Sequence, residues 1–411
     1  MEGKKQIHNF HVIYFVAFVG DLTLSMLIVL SVLHATIIGL STIEVGLIGG
    51  AYGFAYMIMP AILGRISDLI SRKISLLIAT LGQSFLTFLF LYFITKTDDL
   101  IFFGLFLSLF LYGIVYGFFW PVIEAYISEN TEHSAKEHEK GMSNFCITWS
   151  FGFALGPFIA GFLYDFNILL ACLLMFTVYC SSFLLLFFKL PLIKPNNNKA
   201  SKNKAIKSEN FNKPENSTKP YSHSNKILIM LLMGVMIYAV ISKALISYFT
   251  NYAALPEGLN WSGTLIGQVI FFFGVGRTLY FIIARYFKNS LNAITQSFLI
   301  IGLCTVAFSF IYTPILIMIT FFILGFFIGR SYIVSLELLL KYEQDKKGAK
   351  AGIFESTVGI GSSFAPLIAG LIAIIHLKLP FFFFGLFAFI FVIIHLFLKR
   401  KTPFEKVENN S

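Results

Sequence analysis

Six charged residues fall inside long apolar runs of the sequence: Asp21, Glu124, Lys243, Arg277, Arg330 and Glu355. A charge at the centre of a membrane helix costs about 2.5–3.5 kcal/mol on insertion scales, so each must face protein or water rather than hydrocarbon. Asp21, in Val19-Gly20-Asp21-Leu22, is the candidate proton carrier. A carboxyl group withdrawn from water beside a movable cation can change protonation as its surroundings open and close. The competing reading is a fixed ion pair with Lys243 or Arg330. Arg277 and Arg330 suit an anionic substrate group, because guanidinium grips carboxylate or phosphate through two parallel hydrogen bonds. Lys243 and Glu124 complete the candidate substrate-binding set. Glu124 and Glu355, each about a turn from a span end, fit water-exposed charges equally well.

Other chemistries find little support. Cys146, Cys172, Cys180 and Cys304 all lie in apolar runs without metal-type spacing. His133 and His138, five apart in a polar loop, make a solvated loop rather than a metal site. No phosphate-binding loop motif is present. The expectation is therefore no metal, no cofactor and no enzyme activity. Tyr14, Tyr56, Trp120, Trp149, Tyr238 and Tyr248 could line a pocket for amphipathic drugs, but among 49 Phe most aromatic side chains pack or face lipid.

The elements that must position these groups are membrane helices. Of 411 residues 57% are hydrophobic, 17% aromatic and 13% charged, and mean hydropathy is +0.79. A soluble domain carries about 25% charged residues. Runs of about 20 apolar residues, enough to cross roughly 30 Å of hydrocarbon, predict twelve spans: 10–34, 42–64, 73–95, 100–128, 141–163, 168–190, 226–250, 261–284, 290–311, 314–339, 351–375 and 380–398. The organisation is an N-terminal six-helix bundle (1–190), a basic low-complexity linker (191–225), a C-terminal bundle (226–398) and a short tail (399–411). Net charge is +10, yet 26 Lys and Arg lie at the N-terminus, in loops after even-numbered spans and at the C-terminus, against two, Lys96 and Lys378, on the opposite side. Dispersed over loops, they indicate no nucleic-acid partner; they place both termini and the linker in the cytoplasm of a multi-pass cell-membrane protein.

An internal repeat supports the division. Gly152, Gly156, Pro157 and Gly161 of the fifth span correspond to Gly361, Ala365, Pro366 and Gly370 of the eleventh, each 209 residues on. Leu47-Ile48-Gly49 recurs as Leu265-Ile266-Gly267 at an offset of 218. Small residues and proline permit close helix contact, and the fifth span is expected to pack against its counterpart across the halves. Two six-helix halves in parallel repeat suit alternating access, with the site between them.

Between the second and third spans the chain reads Gly64-Arg65-Ile66-Ser67-Asp68-Leu69-Ile70-Ser71-Arg72-Lys73. This resembles the signature loop of the major facilitator superfamily: Gly64, Asp68, Arg72 and Lys73 match, while Leu69 and Ser71 depart from its usual basic residue and glycine. The fifth-span glycines resemble a second motif, one associated with exporters. The resemblance implies an all-α fold of twelve transmembrane helices in two pseudo-symmetric bundles. It also implies a cavity lined by spans 1, 4, 7 and 10, which carry Asp21, Glu124, Lys243 and Arg330. By the same resemblance, Asp68 latches against the start of the eleventh span, whose positive helix end favours a carboxylate, and Arg72 pairs with Glu129. The loop after the eighth span lacks the pattern, so any latch is asymmetric. The expected function is secondary active transport of a small organic solute, an anionic metabolite in preference, with a proton or other coupling ion, by a monomer in the lipid bilayer. The alternatives are multidrug efflux, against which Ile114–Ser128 lacks the arginine of proton-coupled drug antiporters, and a non-transporting sensor or scaffold.

Overall fold

The computed structural model describes residues 9–96, 100–131, 134–192, 221–287, 290–342 and 347–400. The elements are α1 (Phe10–Ile37), α2 (Thr42–Tyr56), α3 (Met59–Leu69), α4 (Arg72–Ile94), α5 (Leu100–Thr131), α6 (Ala135–Lys189), α7 (Tyr221–Ala244), α8 (Thr250–Ala254), α9 (Gly263–Ile283), α10 (Leu291–Ala307), α11 (Pro314–Tyr342), α12 (Lys347–Ala373) and α13 (Leu379–Arg400). A π-helical turn, Leu245–Phe249, joins α7 to α8, and a 3-10 turn, Ala284–Tyr286, follows α9. No strand occurs among the described residues.

Ten helical segments of the described residues are long and apolar enough to cross a membrane. One, Glu137–Lys189, contains an extended residue, Asn167 (φ −167°, ψ 112°), which breaks it where the fifth and sixth spans were expected to separate. Dividing it there and adding the shorter apolar α10, Leu291–Ala307, accounts for twelve segments. The expected 191–225 linker lies mostly outside the described residues, and α7 begins at Tyr221.

The second span differs from expectation. It breaks at Met57–Ile58, and α3 then restarts with Pro60 in its first turn, where the missing N–H costs nothing. This helix runs through Gly64 and Asp68 to Leu69, so most of the anticipated signature loop is helical and only Ile70 and Ser71 connect it to α4. Ser71 caps α4, its hydroxyl accepting from Ile74 N at 3.2 Å.

Burial places α1 at the centre and α13 at the rim: 94% of the most apolar window of α1 is buried, against 28% for α13. The repeat is legible as contacts. Gly152 and Gly156 lie against α1, where a Cβ would collide with the Phe18 and Leu22 carbonyl oxygens; Gly161 lies against Gly263 of α9. In the second half Gly361 lies against Ala239 of α7, and Gly370 against Thr42 of α2. Each glycine-bearing helix therefore packs one end within its own half and the other across to the opposite half. Backbone approach this close needs residues without side chains.

Candidate functional site

A cavity of about 70 Å³ lies where the two halves meet. Asp21 and Leu24 of α1, Tyr52 and Tyr56 of α2, Trp120 of α5, and Trp149 and Phe153 of α6 form one side; Tyr238 and Lys243 of α7, Tyr332 of α11, and Glu355, Val358 and Ser362 of α12 form the other. That is smaller than the roughly 300–1,000 Å³ of small-ligand pockets, so a solute must widen it. Seven of these side chains are aromatic rings, closely packed: Tyr52 stacks on Tyr56 at 5.1 Å and Tyr238 tilts onto Tyr332 at 4.5 Å.

The charged groups do not neutralise one another in pairs. Asp21 is 7% exposed, and the one ion pair within 4 Å among the described residues is Arg72 with Glu129. The fixed pair of Asp21 with Lys243 or Arg330 is therefore absent. The cations whose fields reach Asp21 are Arg277 and Lys243. Lys243 Nζ lies over the Phe153 and Tyr52 rings at 5.5 and 5.8 Å, a cation–π arrangement that holds the ammonium without a carboxylate. Across the cavity Tyr56 donates to Glu355 Oε2 at 2.8 Å, tying α2 to α12. Behind Asp21, Tyr116 donates to the Gly20 carbonyl at 2.6 Å and Thr23 donates to Tyr179 at 2.5 Å, fixing α1 around the carboxyl group.

The remaining candidates lie off this lining. Arg277, 1% exposed, sits behind the aromatic wall, stacked on Phe153 (4.2 Å) and Trp149 (4.6 Å). Its Nε donates to Ser150 Oγ at 2.8 Å, while Nη2 has no partner among the described residues. Arg330 is half-buried near Tyr280 of α9, and its Nε is likewise unpartnered among those residues. Glu124 lies within electrostatic reach of Glu355 but is not part of the lining. Helical phase explains the difference for Arg330, because Tyr332, two residues on, takes the cavity-facing side of α11.

At the other candidate region, Arg72 Nη2 meets Glu129 Oε1 at 2.6 Å, Nε reaches Oε2 at 3.4 Å, and Nη1 donates to Ser67 Oγ at 2.9 Å. Lys73 donates to the Phe187 carbonyl at 2.6 Å. Gly64 faces Pro121 of α5. The Asp68 side chain, and the side chains of the first turn of α12 against which it was expected to latch, lie outside the described residues.

One residue of consequence escaped the sequence reading. Asp165, at the far end of the first part of α6, accepts from Gly263 N at 2.9 Å, Thr264 N at 2.7 Å and the Thr264 hydroxyl at 2.6 Å, capping α9 from the opposite half. Its partners lie 98 and 99 residues away, and an Asp at a span end carries no signal of such a contact. The Tyr56–Glu355 bond, 299 apart, was equally invisible.

A chain of 377 aligned residues from an uncharacterised MFS-type transporter of Methanocaldococcus jannaschii is 24% identical, covering 89% of this chain and 91% of that one. Multidrug resistance protein 1 of Bacillus subtilis is 26% identical over 351 residues, 84% of each. Among solved structures, a POT family transporter in complex with 5-aminolevulinic acid superposes with a TM-score of 0.76 at 13% identity, covering 95% of this chain and 96% of that one, a likeness of fold. The sequence profile of the Major Facilitator Superfamily matches residues 13–343. With two halves related by a glycine repeat and a charged cavity between them, the chain belongs to that superfamily of membrane transporters.

Proposed function

We propose that the protein moves a small amphipathic organic solute across the cell membrane by alternating access, coupled to a proton carried by Asp21, with both termini in the cytoplasm. The observation that carries this reading is a cavity shared by both halves in which a buried carboxyl group with no ion-pair partner within 4 Å faces aromatic rings and the Lys243 ammonium. Protonation of Asp21 changes the net charge of that interior, and so the cost of closing it. The driving energy is adequate: one charge crossing 100 mV releases about 2.3 kcal/mol, and about 1.4 kcal/mol supports tenfold accumulation.

Two carboxyl groups and seven rings on the lining favour a solute with an apolar body and a cationic group, a reading to which the name of the Bacillus relative lends support. The anionic preference drawn from the arginines loses its nearest contacts, since neither guanidinium lines the cavity. It survives as a second reading on one observation, the unpartnered Arg277 Nη2 one layer behind Phe153. A thermal-shift screen of the purified protein with lipophilic cations and with organic anions, at two pH values, separates them. A ligand at about a hundred times its dissociation constant stabilises by about 2.7 kcal/mol. Stabilisation by cations, lost in Glu355→Gln, supports the first; stabilisation by anions, lost in Arg277→Ala, supports the second. Asp21→Asn is expected to abolish proton movement while sparing substrate counterflow in vesicles. Persistent proton movement in that variant makes Asp21 structural.

A further inference from the structure

We propose that a cleft between α1, α6 and α9, separate from the central cavity, binds one acyl chain of an anionic phospholipid whose phosphate is held by basic residues at the cleft mouth. The cleft measures about 360 Å³ and is walled by Phe15 and Phe18 of α1, Ile147 and Phe151 of α6, and Thr278 and Ile282 of α9. That volume falls within the roughly 300–1,000 Å³ of small-ligand pockets. Phe15, Phe151 and Ile282 are 38%, 44% and 47% exposed, so the cleft opens sideways, on the surface of membrane-crossing helices. An apolar hollow there loses dispersion contacts if empty and gains nothing from water. The occupant always at hand is a lipid chain.

Charge at one end selects the head group. His11 stands four residues before Phe15, Lys140 seven before Ile147 and Arg285 three beyond Ile282, all exposed. Separations of three, four and seven keep a residue on one helix face. The start of α1, the start of α6 and the 3-10 turn after α9 therefore bring these three residues to one end of the hollow, where Arg285 Nη2 donates to the Tyr286 hydroxyl at 2.8 Å. Glu139, beside Lys140, lies within electrostatic reach of Glu337 of α11. Long basic side chains reach a membrane surface while their stems cover apolar neighbours, and each near the surface strengthens anionic-lipid binding about fivefold.

The cleft also touches the transport machinery. Thr278 in its wall lies 2.8 Å from Ser150 Oγ, the atom that accepts from Arg277 Nε. A chain in the cleft is thus separated from the Phe153 wall of the cavity by one layer of side chains.

The test uses the full chain in nanodiscs of phosphatidylcholine and phosphatidylglycerol at about 4:1, with retained lipid counted by native mass spectrometry. The wild type is expected to keep one phosphatidylglycerol that Ile147→Trp, which fills the cleft, does not. Phe162→Trp, an exposed position outside it, keeps the lipid. Arg285→Ala and Lys140→Ala each lower the preference for phosphatidylglycerol over phosphatidylcholine about fivefold. Equal retention by wild type and Ile147→Trp, or equal retention of the two lipids by wild type, overturns the proposal. Should Ile147→Trp not fold, Phe15→Cys reads the same contact. Its labelling by a membrane-soluble maleimide, above that of the parent chain, is expected to be slower in phosphatidylglycerol, and equal rates in the two lipids refute the site.

Discussion

Where α12 meets α2, Gly370 lies against Thr42 and Pro366 against Gly46; where α6 meets α9, Gly161 lies against Gly263 and Pro157 against Gly267. The two contacts descend from one repeat, yet their helix starts are capped differently. The start of α2 is satisfied within its own half: Ser41 and Glu44 form a reciprocal capping box, with Ser41 N donating to Glu44 Oε2 at 2.8 Å. The start of α9 has a cap of its own, Ser262 accepting from Leu265 N at 3.4 Å, and adds Asp165 from the other half on Gly263 N and Thr264 N. Parting α12 from α2 at this contact breaks one hydrogen bond, Thr42 to the Gly370 carbonyl at 3.0 Å, and leaves the cap intact; the Tyr56–Glu355 bond joins the same helices at their other end. Parting α6 from α9 leaves the Ser262 cap but strips Gly263 N and Thr264 N of their acceptor and strands a carboxylate that was placed at the helix's positive end. Two surfaces equal in shape are therefore unequal as fasteners.

The broadest way to break this comparison is to attack the shared shape. Gly161→Leu and Gly370→Leu each push a side chain into the facing backbone, and both are expected to cut solute uptake into vesicles more than tenfold, at about 1–3 kcal/mol of overpacking. Sensitivity at only one of them denies the equivalence. Next in size is the unequal fastener. Asp165→Ala removes hydrogen bonds to a charged but exposed group, worth about 1–2 kcal/mol, and should enrich conformers separated between α6 and α9 by about tenfold in spin-label distance measurements. Distances unchanged from wild type dismiss the latch. Asp68→Asn is expected to slow turnover a few-fold and favour states open at the cytoplasmic end, at about 0.3–1 kcal/mol; unaltered turnover and accessibility would remove that role. Smallest in its effect on the conformers, Ser41→Ala costs about 1 kcal/mol of stability as a lost cap and leaves their populations alone. Were it to shift them as Asp165→Ala does, the contrast between the two caps would disappear.

Span positions and the glycine repeat were legible because hydropathy and small-residue spacing are local signals. The partition of contacts along α6 was only half legible: Gly152, Gly156, Pro157 and Gly161 predict close packing, but the partner expected across the halves, the eleventh span, is replaced by α9, which Gly161 meets, while Gly152 and Gly156 meet α1. The break at Met57–Ile58 went unforeseen because a proline at Pro60 fits a helix start as readily as a loop. In the cavity, Asp21, Lys243 and Glu355 announced themselves as charges in apolar runs. Arg277 and Arg330 announced themselves equally, and only three-dimensional phase sets one behind the aromatic wall and the other toward Tyr280. Composition finds which charges are costly; it does not say which way each one faces.

The π-helical turn at Leu245–Phe249, two residues beyond Lys243, gives the seventh span a counting property of its own. Such a turn houses one residue more than the α-turn it replaces, rotating everything after it by about 100°. Ser247 seats against Gly49, Tyr248 donates to the Leu377 carbonyl at 2.5 Å, and Asn251 accepts from Thr36 at 2.9 Å. Deleting a single codon here would heal the helix and turn Asn251 away from Thr36, although no side chain had been exchanged. The length of this span is thus itself inherited information: chains that match residue for residue elsewhere but differ by one at this turn would present another face to the first helix.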